Sequence, residues 1–204
     1  MDINKPESAS SLPDWLKPGW LLGLFALVFI FLLAFTYEQT RERIAMQEQL
    51  RLEAQLKELL VVGSYDNEPA TDVLQAEDSK RTVYRARLQS QPVAALFKTV
   101  AKDGYSGSIQ LLIGIKTNGE LLGVRALAHR ETPGLGDEIN LSRSDWILSF
   151  NDRSLNNPEI DGWAVKKDGG IFDAFTGATI TPRAVVGEVK KTLIYFRDHQ
   201  NELF

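Results

Sequence analysis

Residues 108–128 read SIQLLIGIKTNGELLGVRALA, and this stretch decides the fold. Residues 108–116 (SIQLLIGIK) form a strand-like run rich in Ile and Leu. Thr117-Asn118-Gly119-Glu120 follows, placing an Asn-Gly pair between two apolar runs. That is a strong short-range hairpin signal, because a tight antiparallel turn needs residues that accept positive φ. Residues 121–128 then return as the partner strand. Upstream, residues 104–107 are turn-like, and 82–88 (TVYRARL) alternate as a strand. Residues 93–101 are short and apolar and are expected as a helix. The sum is an α+β domain with a hairpin-rich antiparallel sheet and flanking helices.

Composition bounds what such a domain does. The chain has 204 residues, 44% hydrophobic and 25% charged, with a net charge of −4 and a pI near 5.3. An acidic balance argues against a nucleic-acid partner, which rewards concentrated Lys and Arg. There is no Cys, which excludes disulfides, thiolate zinc sites, iron–sulfur clusters and thioether-linked haem within this chain. The two His residues, His129 and His199, lie far apart, so no metal centre is expected. A redox role would therefore need an organic cofactor. No Rossmann glycine fingerprint follows a strand either.

The N-terminal third has its own logic. Residues 1–18 are polar and rich in Ser, Pro and charge, and read as a tail. No charged residue occurs between Pro18 and Tyr37, and residues 19–35 (GWLLGLFALVFIFLLAF) are almost wholly apolar. About 20 helical residues cross a hydrocarbon layer of about 30 Å. Trp15, Trp20 and Tyr37 lie near the ends, where amphipathic rings favour the interface. A cleaved signal peptide is the competing reading, but the run is long and no small-x-small site follows it. Lys5 and Lys17 precede the span, and Arg41, Arg43 and Arg51 follow it. By charge alone the following side is marginally the cytoplasmic one. Residues 38–60 contain no Gly or Pro and are rich in Glu, Gln, Arg and Leu, as a helix would be. Ile44, Leu52, Leu56 and Leu59 give it an imperfect apolar stripe, read as a stalk packing on the soluble domain or as a partner-binding face. Residues 63–69 break the pattern as a linker.

Two loops stand out after the hairpin. The first is His129-Arg130-Glu131-Thr132-Pro133-Gly134-Leu135-Gly136-Asp137. Pro133 presets φ for a turn, Gly134 offers the positive φ of a type II turn, and Gly136 permits close backbone approach to a ligand. The plain alternative is a tight turn after a strand, with His129 a satisfied polar residue. The second is Asp173-Ala174-Phe175-Thr176-Gly177-Ala178-Thr179-Ile180-Thr181-Pro182. Thr181-Pro182 reads as a helix start, with Thr181 as N-cap and Pro182 at the first helical position. The helix runs to about Asp198 with Val185, Val189, Leu193 and Phe196 as its buried stripe. Thr179 then lies just outside a helix N-terminus, where unpaired N–H groups favour a phosphate. The plain alternative is that Thr176, Thr179 and Thr181 only cap and turn the chain.

Taken together, GYSGSIQLLIGIKTNGELLGV, HRETPGLGDEI and DAFTGATIT, in that order behind one apolar span, resemble a known domain. It is the FMN-binding domain of the G subunit of the Rnf ion-translocating oxidoreductase, shared with the C subunit of the sodium-pumping NADH:quinone reductase. The resemblance covers residues 104–191, and the short chain is similar to the Rnf protein. It implies that FMN is esterified through its phosphate to Thr179. Asp173, Thr176, Gly177 and Ala178 match the stretch read by a separate flavin transferase that uses FAD and a divalent metal. Glu131, Thr132, Gly134, Leu135 and Gly136 match the loop expected to line the flavin.

The resemblance also implies an organisation: a cytoplasmic tail (1–18), a transmembrane helix (19–37), a membrane-proximal helix and linker (38–69), and a periplasmic FMN-binding domain (70–204). This reverses the marginal charge count, since the transferase works outside the cytoplasm. The expected location is the bacterial inner membrane, single-pass. Expected partners are the other subunits of the complex, the transferase during maturation, and membrane lipid. The expected function is electron transfer within a complex that couples it to ion translocation. The corresponding subunit of the sodium-pumping reductase and a non-redox membrane-anchored scaffold are the alternatives.

Overall fold

Antiparallel hairpins organise the sheet. In the computed structural model, which describes residues 16–61, 63–76 and 81–204, five strands form a simple antiparallel meander in the order β1-β2-β3-β4-β5. They are β1 (Val73–Gln75), β2 (Thr82–Leu88), β3 (Gln91–Gly104), β4 (Gly107–Lys116) and β5 (Leu121–Ala128). The β4–β5 turn is the one the sequence announces: Gly119 has φ +86°, and its N–H donates to the Lys116 carbonyl at 2.9 Å.

One expectation is overturned. Residues 93–101 are not helical but lie within the long strand β3. The reason is that both faces of the sheet are covered. Ala95 and Phe97 point into one core with Val83, Ile109, Leu111, Ile113 and Ile115. Ala94 and Leu96 point into the other with Tyr84, Ala86 and Leu112. A strand buried on both faces loses its polar alternation and reads as a continuous apolar run, which periodicity cannot tell from a short helix.

Two helices supply the covers. The first core is closed by α2 (Ile180–Leu203), whose Val185, Val189, Leu193 and Phe196 are all buried, as the stripe predicts. Phe97 meets Phe196 edge-to-face at 6.2 Å between ring centroids. The helix continues past the expected end at Asp198. The second core is closed by the C-terminal end of α1 (Leu16–Leu59), through Leu52, Leu56 and Leu59, and by Leu60 just beyond it. Arg125 Nε donates to Glu58 Oε1 at 2.9 Å, and Gln55 Nε2 to the Ala126 carbonyl at 3.4 Å, fixing this end of the helix on β5. Ile44, expected in the same stripe, is exposed. Within the unit Leu50–Phe204, the stalk reading holds for Leu52, Leu56 and Leu59, which pack on the domain.

The chain divides into two units, Met1–Gln49 and Leu50–Phe204. In the first, the described part is α1, which is long and apolar enough to cross a membrane. Trp20, Leu22, Phe31 and Leu33 are exposed, and residues 19–35 of the helix carry no charge on any side, as a lipid-facing stretch does. The Thr36 and Thr40 hydroxyls donate to the carbonyls of Leu32 and Thr36, leaving no side-chain donor unsatisfied at these positions. α1 begins at Leu16 and so takes in the last residues of the expected tail; residues 1–15 of that tail lie outside the described residues. The second unit takes in residues 50–69. There the expected linker is tied to β2: Asn67 Nδ2 donates to the Arg85 carbonyl, and the Arg87 N–H donates to Asn67 Oδ1, both at 2.8 Å.

Between β5 and α2 the sequence reading finds only the two loops. The structure fills this stretch with short 3-10 turns: Gly136–Ile139, Asp145–Phe150, Ile160–Gly162 and Lys166–Asp168.

Candidate functional site

The first loop folds as its Pro-Gly pair dictates. The Leu135 and Gly136 N–H groups both donate to the Thr132 carbonyl at 3.1 Å, and Gly134 has φ +77°. The Gly134 N–H donates to Asp137 Oδ1 at 2.6 Å, which closes the turn. His129 is a satisfied polar residue: Nδ1 accepts from the Glu131 N–H at 3.1 Å, and Nε2 lies 2.7 Å from the Asn140 side-chain amide.

Glu131 is the hub of the site. Its side chain is buried, and Oε1 accepts from the Ser106 N–H at 3.0 Å. Oε2 accepts from the Thr181 hydroxyl. One carboxylate thus ties the β3–β4 turn, the first loop and the start of α2. Gly136 makes this contact possible. A Cβ there would lie 2.8 Å from Glu131 Oε2 and 2.9 Å from Thr181 Oγ1. The close approach expected of Gly136 is therefore first of all to these protein atoms.

The second loop corrects the helix start. α2 begins at Ile180, so Thr179, not Thr181, occupies the N-cap position. Pro182 is still tolerated, because no N–H in the first turn has an intrahelical partner. Thr181 is fully buried and spends its hydroxyl on Glu131. Thr179 has helical backbone angles (φ −64°, ψ −25°), and its side chain makes no capping bond. A Thr at this position normally accepts from an N–H of the first turn. Here the Thr179 hydroxyl instead accepts from Lys167 Nζ at 2.9 Å.

The two loops meet. A Cβ on Gly177, which has φ +79°, would lie 3.6 Å from Leu135 Cδ2. Together they wall a cleft of about 320 Å³, with Glu131, Thr132, Leu135 and Gly136 from the first loop and Gly177 and Ala178 from the second. Tyr105 and Thr181 complete its lining. Tyr105 and Leu135 expose apolar surface there. Thr179 is half-buried and follows Ala178 directly, next to the lining. Gly134, Asp173 and Thr176 are exposed and do not line the cleft. A larger cleft, about 620 Å³, lies between β3 and α2 and contains neither loop. Glu188 within it is buried and accepts from the Thr99 hydroxyl at 2.5 Å.

An aromatic platform that the sequence reading missed supports the second loop. Trp146 packs edge-to-face on Phe175 at 5.0 Å and on Phe150 at 5.3 Å, and Phe150 stacks on Phe172 at 4.7 Å. Trp146 Nε1 also donates to the Asp173 carbonyl at 2.8 Å. The signal was present in residues 145–150 (DWILSF), where Trp and Phe stand four apart with apolar residues between. The charges before the motif were missed as well. Lys166 pairs with Asp173 at 2.5 Å, and Arg183 grips Asp168 through two bonds of 2.6 and 2.9 Å. The Arg183 hydrogen bonds hold the Asp168 carboxyl below its usual range.

Comparison with known proteins gives the chain's family. The family model described as an FMN-binding domain matches residues 104–194, and that for the RnfG N-terminal region matches residues 14–59. The G subunit of the ion-translocating oxidoreductase complex of Pseudomonas aeruginosa is 48% identical over 202 residues, spanning 96% of this chain and 94% of that protein. The chain belongs to the RnfG family. The G subunit of Pseudoalteromonas atlantica is 47% identical, with 92% of this chain and 91% of that protein covered. For one Vibrio cholerae G subunit the identity is 46%, with 92% of each chain covered. As a member of the RnfG family, the chain is one subunit of an ion-translocating oxidoreductase and not a complete enzyme. It pairs an FMN-binding domain with one N-terminal helix able to cross a membrane.

The residues present fit FMN. The cleft lies within the range of about 300–1,000 Å³ common for small-molecule sites. Its Leu135 and Tyr105 suit a flat aromatic ring, and the start of α2 beside it suits a phosphate.

Proposed function

We propose that this chain is the electron-transfer subunit that carries FMN as a phosphoester on Thr179 Oγ1, on the periplasmic face of a bacterial inner membrane. One observation carries the reading. Thr179 stands at the N-cap of α2, beside the cleft, with a hydroxyl that does no capping and faces a Lys ammonium. It is a hydroxyl that caps nothing, held by a Lys ammonium at the end of a helix where a phosphate is stabilised.

Attachment needs help from outside the chain, since a Thr hydroxyl is a weak nucleophile at its free pKa. A flavin transferase supplies it, with FAD as donor. The Thr179 hydroxyl proton passes to a base of the transferase, the Oγ1–phosphorus bond forms, the pyrophosphate bond of FAD breaks, and AMP leaves. Asp173 and Thr176 are exposed on the motif loop, as residues read by another protein must be. Leu135 and Gly177 line the cleft from opposite loops, and Glu131 locks the first loop to α2. FMN, once held, supplies one- and two-electron chemistry, while attachment through the phosphate leaves the ring free to be tuned by contacts. The membrane span keeps the carrier near the other subunits of the complex, which raises its effective concentration.

The test is a flavin spectrum. Protein purified from cells that contain the transferase should keep its flavin absorbance through denaturation and gel filtration. Flavin released completely on denaturation would overturn the covalent reading, and its absence from folded, exported protein would overturn the flavoprotein reading.

A further inference from the structure

The contact between Lys167 and Thr179 is made by a purpose-built turn. Residues 164–172 close on themselves. The Lys166 N–H donates to the Phe172 carbonyl at 2.7 Å, and Gly170 and Phe172 donate back to Val165 and Ala164 at 3.2 Å. Val165 and Phe172 are buried in the main core and anchor both ends. Gly170 is required: a Cβ there would lie 2.0 Å from the Ala164 carbonyl oxygen. This frame fixes where Lys167 starts. The neighbouring charges are already matched, Lys166 with Asp173 and Arg183 with Asp168. Lys167 is adjacent in sequence to Asp168, whose hydrogen bonds go to Arg183, and its own ammonium donates to the Thr179 hydroxyl.

We propose that Lys167 is the residue that holds the phosphate of FMN on Thr179. This rests on the covalent reading above. The Lys167 ammonium lies 2.9 Å from the oxygen that takes the phosphorus. During attachment the Thr179 proton passes to a base of the transferase, the Oγ1–phosphorus bond forms, the pyrophosphate bond of FAD breaks and AMP departs. Lys167 keeps its proton throughout. It stabilises the negative charge that gathers on Oγ1 and the phosphoryl oxygens, then neutralises the single charge of the finished phosphodiester. A charge-assisted hydrogen bond of this kind is roughly twice as strong as a neutral one. Asp168 and Asp173 are each paired with another cation, which weakens their repulsion of the incoming phosphate.

The experiment uses the full chain in detergent, made without the transferase, then incubated with purified flavin transferase, FAD and Mg²⁺. Covalent flavin is followed over time by intact mass. Lys167→Ala and Lys167→Gln should slow labelling about tenfold or more, as expected for losing a hydrogen bond to a charged group. Lys167→Arg should recover most of the rate, and Lys102→Ala, which removes an exposed charge elsewhere, should label as the unaltered chain does. A second measurement needs no substitution. Acylation of Lys167 by an N-hydroxysuccinimide ester should be slower in the flavin-loaded chain than in the flavin-free chain, while Lys102 reacts equally in both. If the unaltered chain gains no adduct on Thr179, the covalent reading itself fails. If it labels normally, and Lys167→Gln labels at the same rate or Lys167 acylation is unchanged by loading, only the role of Lys167 is refuted.

Discussion

The bond between Thr181 and Glu131 should be worth more than its size suggests. Thr181 is fully buried and Glu131 nearly so. Thr181→Val keeps the shape and removes the hydroxyl, leaving a buried carboxylate with one donor fewer. Hydrogen bonds to charged groups contribute about 1.5–3 kcal/mol, so a loss of about 2 kcal/mol is expected. For a domain of roughly 150 residues this lowers the Tm by about 4–8 °C. Glu131→Gln keeps an acceptor and should cost less, about 1 kcal/mol. Glu131→Ala removes the acceptor of both Ser106 and Thr181 and opens a void, for about 3–5 kcal/mol. The double variant Thr181→Val/Glu131→Gln should fall short of the sum of the singles by about 1 kcal/mol, since both act on one bond. Thermal melts followed by circular dichroism on flavin-free protein measure all of these. A Thr181→Val protein as stable as the parent, or strictly additive losses, would refute the hub role of Glu131.

Other outcomes follow from the same geometry. Asp173→Ala should lower covalent flavin while leaving the melt almost unchanged, because its pair with Lys166 is exposed and such pairs contribute little; an unfolded variant would show that Asp173 is structural. A chain shortened to begin at Thr40 should be soluble and folded, whereas one beginning at Val61 should be much less stable, since it loses Leu52, Leu56, Leu59 and Leu60 from the second core; equal urea midpoints would contradict this. Asp72 gives an acid limb. Burial alone would raise its pKa, but the hydrogen bonds and charges of Arg87 and Arg85 outweigh that and hold it below its ordinary 3.8. Its contribution is therefore complete above that ordinary value and is lost as pH falls through the lowered one. Asp72→Asn should be less stable at neutral pH, and the difference should shrink as the pH drops into that range.

Much of this was legible because local chemistry and tertiary packing agree. The β4–β5 hairpin needed only its Asn-Gly turn, and the buried face of α2 needed only its spacing. The Pro133-Gly134 turn formed as its residues require. Legibility failed where burial erased a pattern. β3 is covered on both faces, so Ala94, Ala95, Leu96 and Phe97 carry no alternation to read. The helix start was misplaced because Thr181, a good cap by type, is held by Glu131, a residue fifty positions earlier in the chain. No local rule foresees a cap lost to a long-range carboxylate. For the site, the two loops were readable as unusual, but what joins them was not. The aromatic platform under Phe175 and the Lys167 contact each depend on segments that are neighbours only once the 3-10 turns are folded.

The central claim is that Thr179 carries the flavin, and peptide mass spectrometry tests it most directly. Protein exported with an active transferase is digested, and the peptide containing Thr176, Thr179 and Thr181 is fragmented. The expected result is a mass gain of FMN less one water, located on Thr179, and its complete loss in Thr179→Val. That variant should stay folded, because the hydroxyl caps nothing. An adduct on Thr176 or Thr181, or an unmodified peptide despite active transferase, would contradict it.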